Sequence, residues 1–154
     1  MADLRQFAGR IRVMGKRLEE NADTLVRKTA LAVDAAVVIA TPVDEGRARS
    51  NWQVNTDAPA EGVIEAYEPG KEGSTGGANT RAALEQGKKA VSDYKGGRPG
   101  SAIHITNNLP YIKPLNDGSS AQAPSGFVEK GVLVGVAAVQ GAGSLLQKAL
   151  EEEL

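Results

Sequence analysis

The chain has 154 residues, a net charge of −1 at pH 7 and no cysteine. At this length, one domain built around one core is the ordinary outcome. The near-zero charge argues against a protein that binds polyanions with its whole surface, and the lack of cysteine excludes disulfides and thiolate metal sites. Because aromatic residues make up only 4% of the chain, the core must consist mainly of aliphatic side chains and alanine.

The sequence predicts neither a membrane span nor an export signal. No apolar run reaches the ~20 residues that a membrane-spanning helix needs. The first residues, Met1-Ala2-Asp3-Leu4-Arg5, lack the basic-then-apolar layout of a secretory signal. We therefore expect no membrane partner, and the lack of cysteine agrees with synthesis in a reducing cytoplasm.

Residues 1–41 predict one long amphipathic helix, because apolar residues recur there at spacings of three and four. The apolar stripe comprises Leu4, Phe7, Ile11, Met14, Leu18, Ala22, Leu25, Thr29, Val33, Ala36 and Ala40. Unbroken, this helix would span roughly 60 Å at 1.5 Å per residue, which is long for a globule of this size. We expect either a bend near residues 21–23 or a helix that packs partly on a neighbouring subunit.

Residues 42–67 predict a β-hairpin region. The helix ends at Thr41 because the residue before proline avoids the α conformation. Alternating polar and apolar residues predict one strand over Ser50–Thr56 and its hairpin partner over Glu61–Tyr67. The glycine-rich stretch that follows, residues 68–80, predicts a flexible loop that is poorly ordered in the free protein.

The second half of the chain predicts a helix over residues 81–94, with Asn79 or Thr80 as its N-cap, and then a strand and turn over 101–118. His104 lies in that strand, where we expect a structural role. The residues from 124 onward leave two readings open. Residues 132–136 have the β-branched content of a strand, whereas 145–153 favour a helix and Pro124 suits a first helical position.

The sequence contains no arrangement typical of a catalytic triad, a phosphate-binding loop or a metal site. We therefore expect no enzyme, no cofactor and no metal. Five basic residues are candidates for phosphate contacts along a DNA passage or for ion pairs with neighbouring subunits: Arg47, Arg49, Lys71, Lys95 and Arg98. Ion pairing is the favoured interpretation, because no aromatic residues are interleaved for stacking on bases.

Two segments carry the functional signal. The first is Pro42-Val43-Asp44-Glu45-Gly46-Arg47-Ala48-Arg49-Ser50-Asn51-Trp52, and the second runs from Asn108 to Gly118 and on through residues 122–127. In this order, after a long amphipathic helix, they resemble the tail-completion (head-to-tail joining) proteins of long-tailed bacteriophages. The positions that match the family motifs are Pro42, Val43, Asp44, Gly46, Arg49, Trp52, Pro110, Tyr111, Leu115, Gly118 and Pro124.

The chain departs from the family pattern at Glu45, Ala48, Asn116 and Asp117, where the family has threonine, leucine, glutamate and an aromatic residue. The resemblance implies an α+β domain over residues 1–154. In it, the long N-terminal helix and a C-terminal helix over 124–153 pack on a small antiparallel sheet, with one further helix in the middle.

The resemblance also implies a ring-forming virion protein of the neck, made in the cytoplasm of the bacterial host, with six copies around the DNA channel at the top of the tail. The expected partners are head-side connector or stopper proteins, the tail terminator or tail tube protein, and genome DNA that passes without sequence specificity. Two alternatives stay open. One is a tail-terminator ring that caps the tail tube, and the other is a small nucleic-acid-binding module in which Arg47 and Arg49 dominate DNA binding.

Overall fold

A computed structural model of the chain describes residues 4–151, with side chains over residues 4–140. The elements are α1 (Leu4–Ala40), α2 (Arg47–Ser50), β1 (Gln53–Thr56), α3 (Gly76–Ser92), β2 (Ile103–Thr106), α4 (Ile112–Pro114) and α5 (Phe127–Glu151). A π-helical turn, Leu115–Ser119, follows α4. The predicted α+β class is confirmed. Among the helices of the described residues, none is both long and apolar enough to cross a membrane.

Helix α1 is continuous over 37 residues, which corresponds to about 55 Å, so the helix is not broken near residues 21–23. Asn and Asp weaken helices when their side chains bond to nearby backbone. Here the Asp23 carboxylate instead accepts a hydrogen bond from the distant Gly96 N–H at 3.2 Å. The Asp23 carboxylate is therefore engaged away from the backbone of its own helix.

The core lies under the C-terminal half of α1. One cluster joins Val37 and Val38 of α1 to Trp52 and to Ala83 of α3. A second cluster joins Ala30 of α1 to residues of β1 and α3. The first turns of α1 are exposed to solvent. The contacts of α1 with this core therefore lie in the C-terminal half of the helix.

The two-stranded sheet pairs β1 with β2 in antiparallel register, with Val54 opposite Ile105. The predicted hairpin between residues 50–56 and 61–67 is therefore wrong. The side chain of Asn51 occupies the place of a partner strand: its Nδ2 donates to the Ile64 carbonyl at 2.8 Å, and its Oδ1 accepts from the Ile64 N–H at 2.8 Å. With these backbone groups satisfied by a side chain, residues 61–67 do not need a ladder.

Helix α3 begins at Gly76 and ends at Ser92, so residues 76–80 are helical and not part of the predicted flexible loop. The predicted N-caps are also wrong, because Asn79 lies inside the first turn and donates back to the carbonyls of Glu68 and Thr75 at 2.7 and 3.0 Å. Residues 68–75 are irregular but hydrogen-bonded, with the N–H of Gly73 donating to the Asp44 carbonyl at 2.9 Å. Their mobility in the free protein stays a prediction.

Helix α5 runs antiparallel to α1 and approaches it very closely. Gly131 lies against Val37, and Gly135 lies against Val33. A Cβ atom at position 135 would sit 2.5 Å from the Val33 Cα and 2.6 Å from its backbone nitrogen. The helix implied by the resemblance is confirmed from Phe127 to Glu151, and the strand interpretation of 132–136 is wrong. Residues 152–153 of that prediction lie outside the described residues.

We predict that Gly135→Ala destabilises the fold by about 1–3 kcal/mol, because the added methyl group forces α5 away from α1. Gly15→Ala is the matched control, since nothing lies within 4 Å of a Cβ built there. Alanine at an open helical position stabilises by up to about 1 kcal/mol. Urea denaturation of the two variants measures the difference. Equal stability of the two would contradict the close approach of α5 to α1.

Candidate functional site

The two segments on which the resemblance rests meet at the C-terminal end of α1. The Val43 N–H donates to the Gln122 side-chain oxygen at 3.0 Å. Between the segments lies a cleft of about 420 Å³, which we call the motif cleft. It is lined by residues 42–48 from the first segment and by Tyr111, Leu115, Ser120 and Gln122 from the second. Residues that are far apart in sequence thus form one continuous surface.

Trp52 fastens the first segment to the end of α1. Its indole N–H donates to the Thr41 hydroxyl at 2.7 Å, and that hydroxyl donates to the Val37 carbonyl at 2.6 Å. Both side chains are buried. A buried indole N–H needs a partner of this kind. Thr41, the residue after α1, therefore both donates to the last turn of the helix and accepts from Trp52.

Arg49 closes the same helix end from the other side. Its Nε donates to the Thr41 carbonyl at 2.9 Å, and one terminal nitrogen donates to the Ile39 carbonyl at 3.3 Å. The other terminal nitrogen donates to the Thr80 hydroxyl at 3.0 Å in α3. The last carbonyls of a helix have no N–H partners within the helix. Arg49 donates to two carbonyls at this end, and its bond to Thr80 joins α1 to α3. Burial lowers the pKa of the Arg49 guanidinium.

Gly46 and Ser50 hold the turn between Pro42 and α2 against α3, where both lie next to Asn79. Gly46 has a φ of 87°, and a Cβ atom there would run into the Asn79 amide. The Ser50 hydroxyl donates to the Asn79 Oδ1 at 2.7 Å. Glycine is therefore required at position 46 both by the backbone conformation and by the space left to it.

Arg47 lies on the outer side of α2 and pairs with Glu65, with 3.0 Å between Nη2 and Oε1. Because residues 47–50 are helical, Arg47 and Arg49 do not share one face as they would on a strand. Tyr111 borders this pair and is 41% exposed. Partial burial raises the pKa of the Tyr111 hydroxyl, with Arg47 acting to lower it and Glu45 and Glu65 to raise it.

The second segment is tied to the start of α5 by Asn116, one of the departures from the family pattern. Its Nδ2 donates to both carboxylate oxygens of Glu129, at 3.0 and 2.9 Å, which holds the pKa of that carboxyl below its usual range. Its Oδ1 accepts from the Val128 N–H at 2.9 Å. A glutamate at this position would face Glu129 with a like charge, so the amide suits this chain. Pro124, predicted as the first helical residue, precedes α5 by three positions.

The five basic candidates do not all lie in one patch. Lys71 precedes α3 and Lys95 follows it, and this 17-residue helix is about 25 Å long. Arg98 pairs with Asp57 at 3.4 Å. His104 stands opposite Asn55 in the sheet and is half-buried. The role of the basic residues along a DNA passage or at a subunit contact stays a prediction.

Asp34 is a buried carboxyl that the apolar stripe predicted for α1 did not include. It is 1% exposed, it lies against Gly87 of α3, and neither carboxyl oxygen has a hydrogen-bond partner. Burial raises the pKa of Asp34 to about 7. One feature of the sequence could have indicated this burial: Asp34 is the only charged residue between Lys28 and Asp44.

Comparisons of the chain with models of known protein families, with curated proteins and with solved structures find no match. Within the described part of the chain, no group of three or more His, Asp or Glu side chains is arranged to hold a metal ion.

We predict that Arg49→Ala lowers the free energy of unfolding by about 1–3 kcal/mol, because the partly buried Thr41 carbonyl loses its charged donor and the link to the Thr80 hydroxyl is broken. The comparison variant is Arg47→Ala, which removes an ion pair to the exposed Glu65 and one long hydrogen bond to the Ile64 carbonyl, at 3.3 Å, and costs about 1 kcal/mol or less. Denaturant titration followed by Trp52 fluorescence measures both values. If the two substitutions cost the same, Arg49 does not close the end of α1.

We predict that Asp34 makes the protein less stable as the pH rises from about 4 to about 7. Its pKa is raised in the folded state to about 7, so in this window the folded protein keeps a proton that the unfolded chain has lost. Asp34→Asn removes that dependence and stabilises the fold by about 2–4 kcal/mol at about pH 8, with little effect at about pH 4.

Thermal unfolding at several pH values tests the Asp34 prediction. Asp93→Asn is the control, because Asp93 is exposed at the end of α3. A stabilisation by Asp34→Asn that is equal at both ends of the pH range would show that Asp34 does not titrate on unfolding.

Proposed function

We propose that the protein is a structural, non-enzymatic subunit of a bacteriophage virion. In this proposal it is a tail-completion protein that joins the DNA-filled head to the tail as a homomeric ring at the neck. The observation that carries the proposal is the motif cleft. The two segments that resemble the tail-completion family come from opposite halves of the chain, and they fold together into one surface.

The motif residues divide into two groups that fit an assembly protein. Trp52, Arg49 and Gly46 are turned inward and hold the first segment in shape. Residues such as Glu45 and Tyr111 are exposed on the cleft. A firmly held surface that presents exposed polar and aromatic groups is suited to protein contacts, because little conformational freedom is lost on binding.

The contacts of the arginines weigh against a nucleic-acid-binding module. That alternative requires Arg47 and Arg49 to be free for phosphate contacts. Arg49 is instead engaged with the carbonyls of α1 and the hydroxyl of Thr80, and Arg47 is paired with Glu65. A ring with few free cations at this surface also suits DNA passage, since strong phosphate contacts would retard it.

We predict that virus particles assembled without this protein accumulate as full heads beside finished, unattached tails. Electron microscopy of lysates from an infection that lacks the protein measures this outcome. Resupplying the wild-type chain restores joined particles, and Glu85→Ala, an exposed substitution on α3, is the control that should do the same. Glu45→Ala with Tyr111→Ala, which alters the motif cleft, should restore fewer joined particles.

Two other outcomes of the same experiment have definite meanings. Tubes of abnormal and uncontrolled length would assign the protein to tail termination in place of tail completion. Normal, infectious particles would overturn the virion role, and a salt-dependent DNA-binding assay of the purified chain would then test the nucleic-acid-binding alternative.

A further inference from the structure

The first turns of α1 present a row of exposed apolar side chains. Leu4, Phe7 and Ile11 are exposed by 82%, 58% and 50%, and their spacing of three and four residues places them on one face of the helix. Residues 4–17, which we call the α1 tip, also carry the exposed cations Arg10 and Arg12, while Lys16 pairs with Glu20 of the same helix at 3.9 Å. A continuous apolar row on an exposed helix marks an interaction surface, and the charge of this one calls for an acidic partner.

A surface of the opposite charge lies at the other end of α1. Residues 61–72, which we call the acidic segment, carry four Glu and one Lys. All four carboxylates are exposed, at Glu61, Glu65, Glu68 and Glu72. Apolar side chains stand among them, since Val63 and Tyr67 are among the exposed large hydrophobic residues. The acidic segment therefore matches the α1 tip in both charge and apolar character.

These two surfaces cannot meet within one molecule. Glu65 is held by Arg47, and the backbone of Glu72 is held by Asp44, so the acidic segment is fixed just beyond the C-terminal end of α1. From Ile11 to Ala40 the helix is continuous, and 29 residues at 1.5 Å each separate them by about 45 Å. The α1 tip can reach an acidic segment only on another copy of the chain.

We propose that the α1 tip of one copy binds across the acidic segment of the next copy. Arg10 and Arg12 pair with the glutamates, while Leu4, Phe7 and Ile11 pack on Val63 and Tyr67. The contact rests on the proposed function, because it supplies the subunit interface of the ring. Since the two surfaces differ, the contact is head-to-tail, and repeated head-to-tail contacts close into a ring when the rotation between neighbours divides a full turn.

Sedimentation velocity of the purified full chain tests this interface. We expect a large oligomer in about 50 mM NaCl that shifts to smaller species in about 500 mM NaCl, because salt screens exposed charges. Arg10→Glu with Arg12→Glu should abolish the oligomer, and so should Glu61→Arg with Glu68→Arg. The control, Lys88→Glu with Lys89→Glu, changes two exposed charges on α3 and should assemble like the wild type. Circular dichroism confirms that each variant is folded.

Mixing the two defective variants gives the sharpest readout. The α1 tip of each is then complementary only to the acidic segment of the other, so the mixture should regain the oligomer with alternating subunits. A wild-type chain that stays monomeric at low salt would overturn the interface. So would normal assembly of Glu61→Arg with Glu68→Arg alone, because that result would indicate a symmetric contact between α1 tips.

The interface and the proposed function can fail separately. If the charge variants behave as expected but particles lacking the protein are normal, the joining role is wrong and the interface stands. If heads and tails stay unjoined without the protein but the purified chain does not assemble, the joining role stands and this interface is wrong.

Discussion

The C-terminal end of α1 is the constraint on which the rest of the structure depends. A helix that ends inside a protein leaves its last carbonyls without partners, and an unpartnered buried carbonyl is costly. Here the Thr41 hydroxyl and the Arg49 guanidinium satisfy them. Because Arg49 also reaches α3 and Trp52 reaches Thr41, satisfying one helix end fixes the first motif segment, the start of α3 and the inner wall of the motif cleft.

The elements that the sequence predicted well are those with a strong local signal. The 3.6-residue apolar period predicts the bounds of α1 to within a few residues. The alternation around Ile103 and Ile105 predicts β2. The pairing of β1 was missed because sequence neighbours were assumed to pair. The amide of Asn51 takes over the backbone groups of Ile64, and no local pattern distinguishes such an asparagine from one in a turn.

The site was predicted as a set of positions but not as an arrangement. The resemblance singled out the motif positions, and the structure brings the two segments that contain them to one cleft. The basic residues were harder to interpret, because a guanidinium that closes a helix end and one that contacts phosphate look identical in sequence. Asp34 was missed for a related reason: apolar periodicity ranks a carboxylate as a surface residue, and only the three-dimensional contacts with α3 reveal its burial.

The unbroken length of α1 makes it a lever. Its C-terminal half is held by buried contacts, and contacts with the rest of the fold continue back to Asp23, so the exposed arm from Asp23 to Leu4 is about 28 Å long at about 1.5 Å per residue. A tilt of about 5° at Asp23 would carry Leu4 through about 2.5 Å. In the proposed ring, the side-chain volumes beneath residues 30–41 would therefore influence the angle at which the exposed end of α1 meets the next copy, and with it the curvature of the assembly.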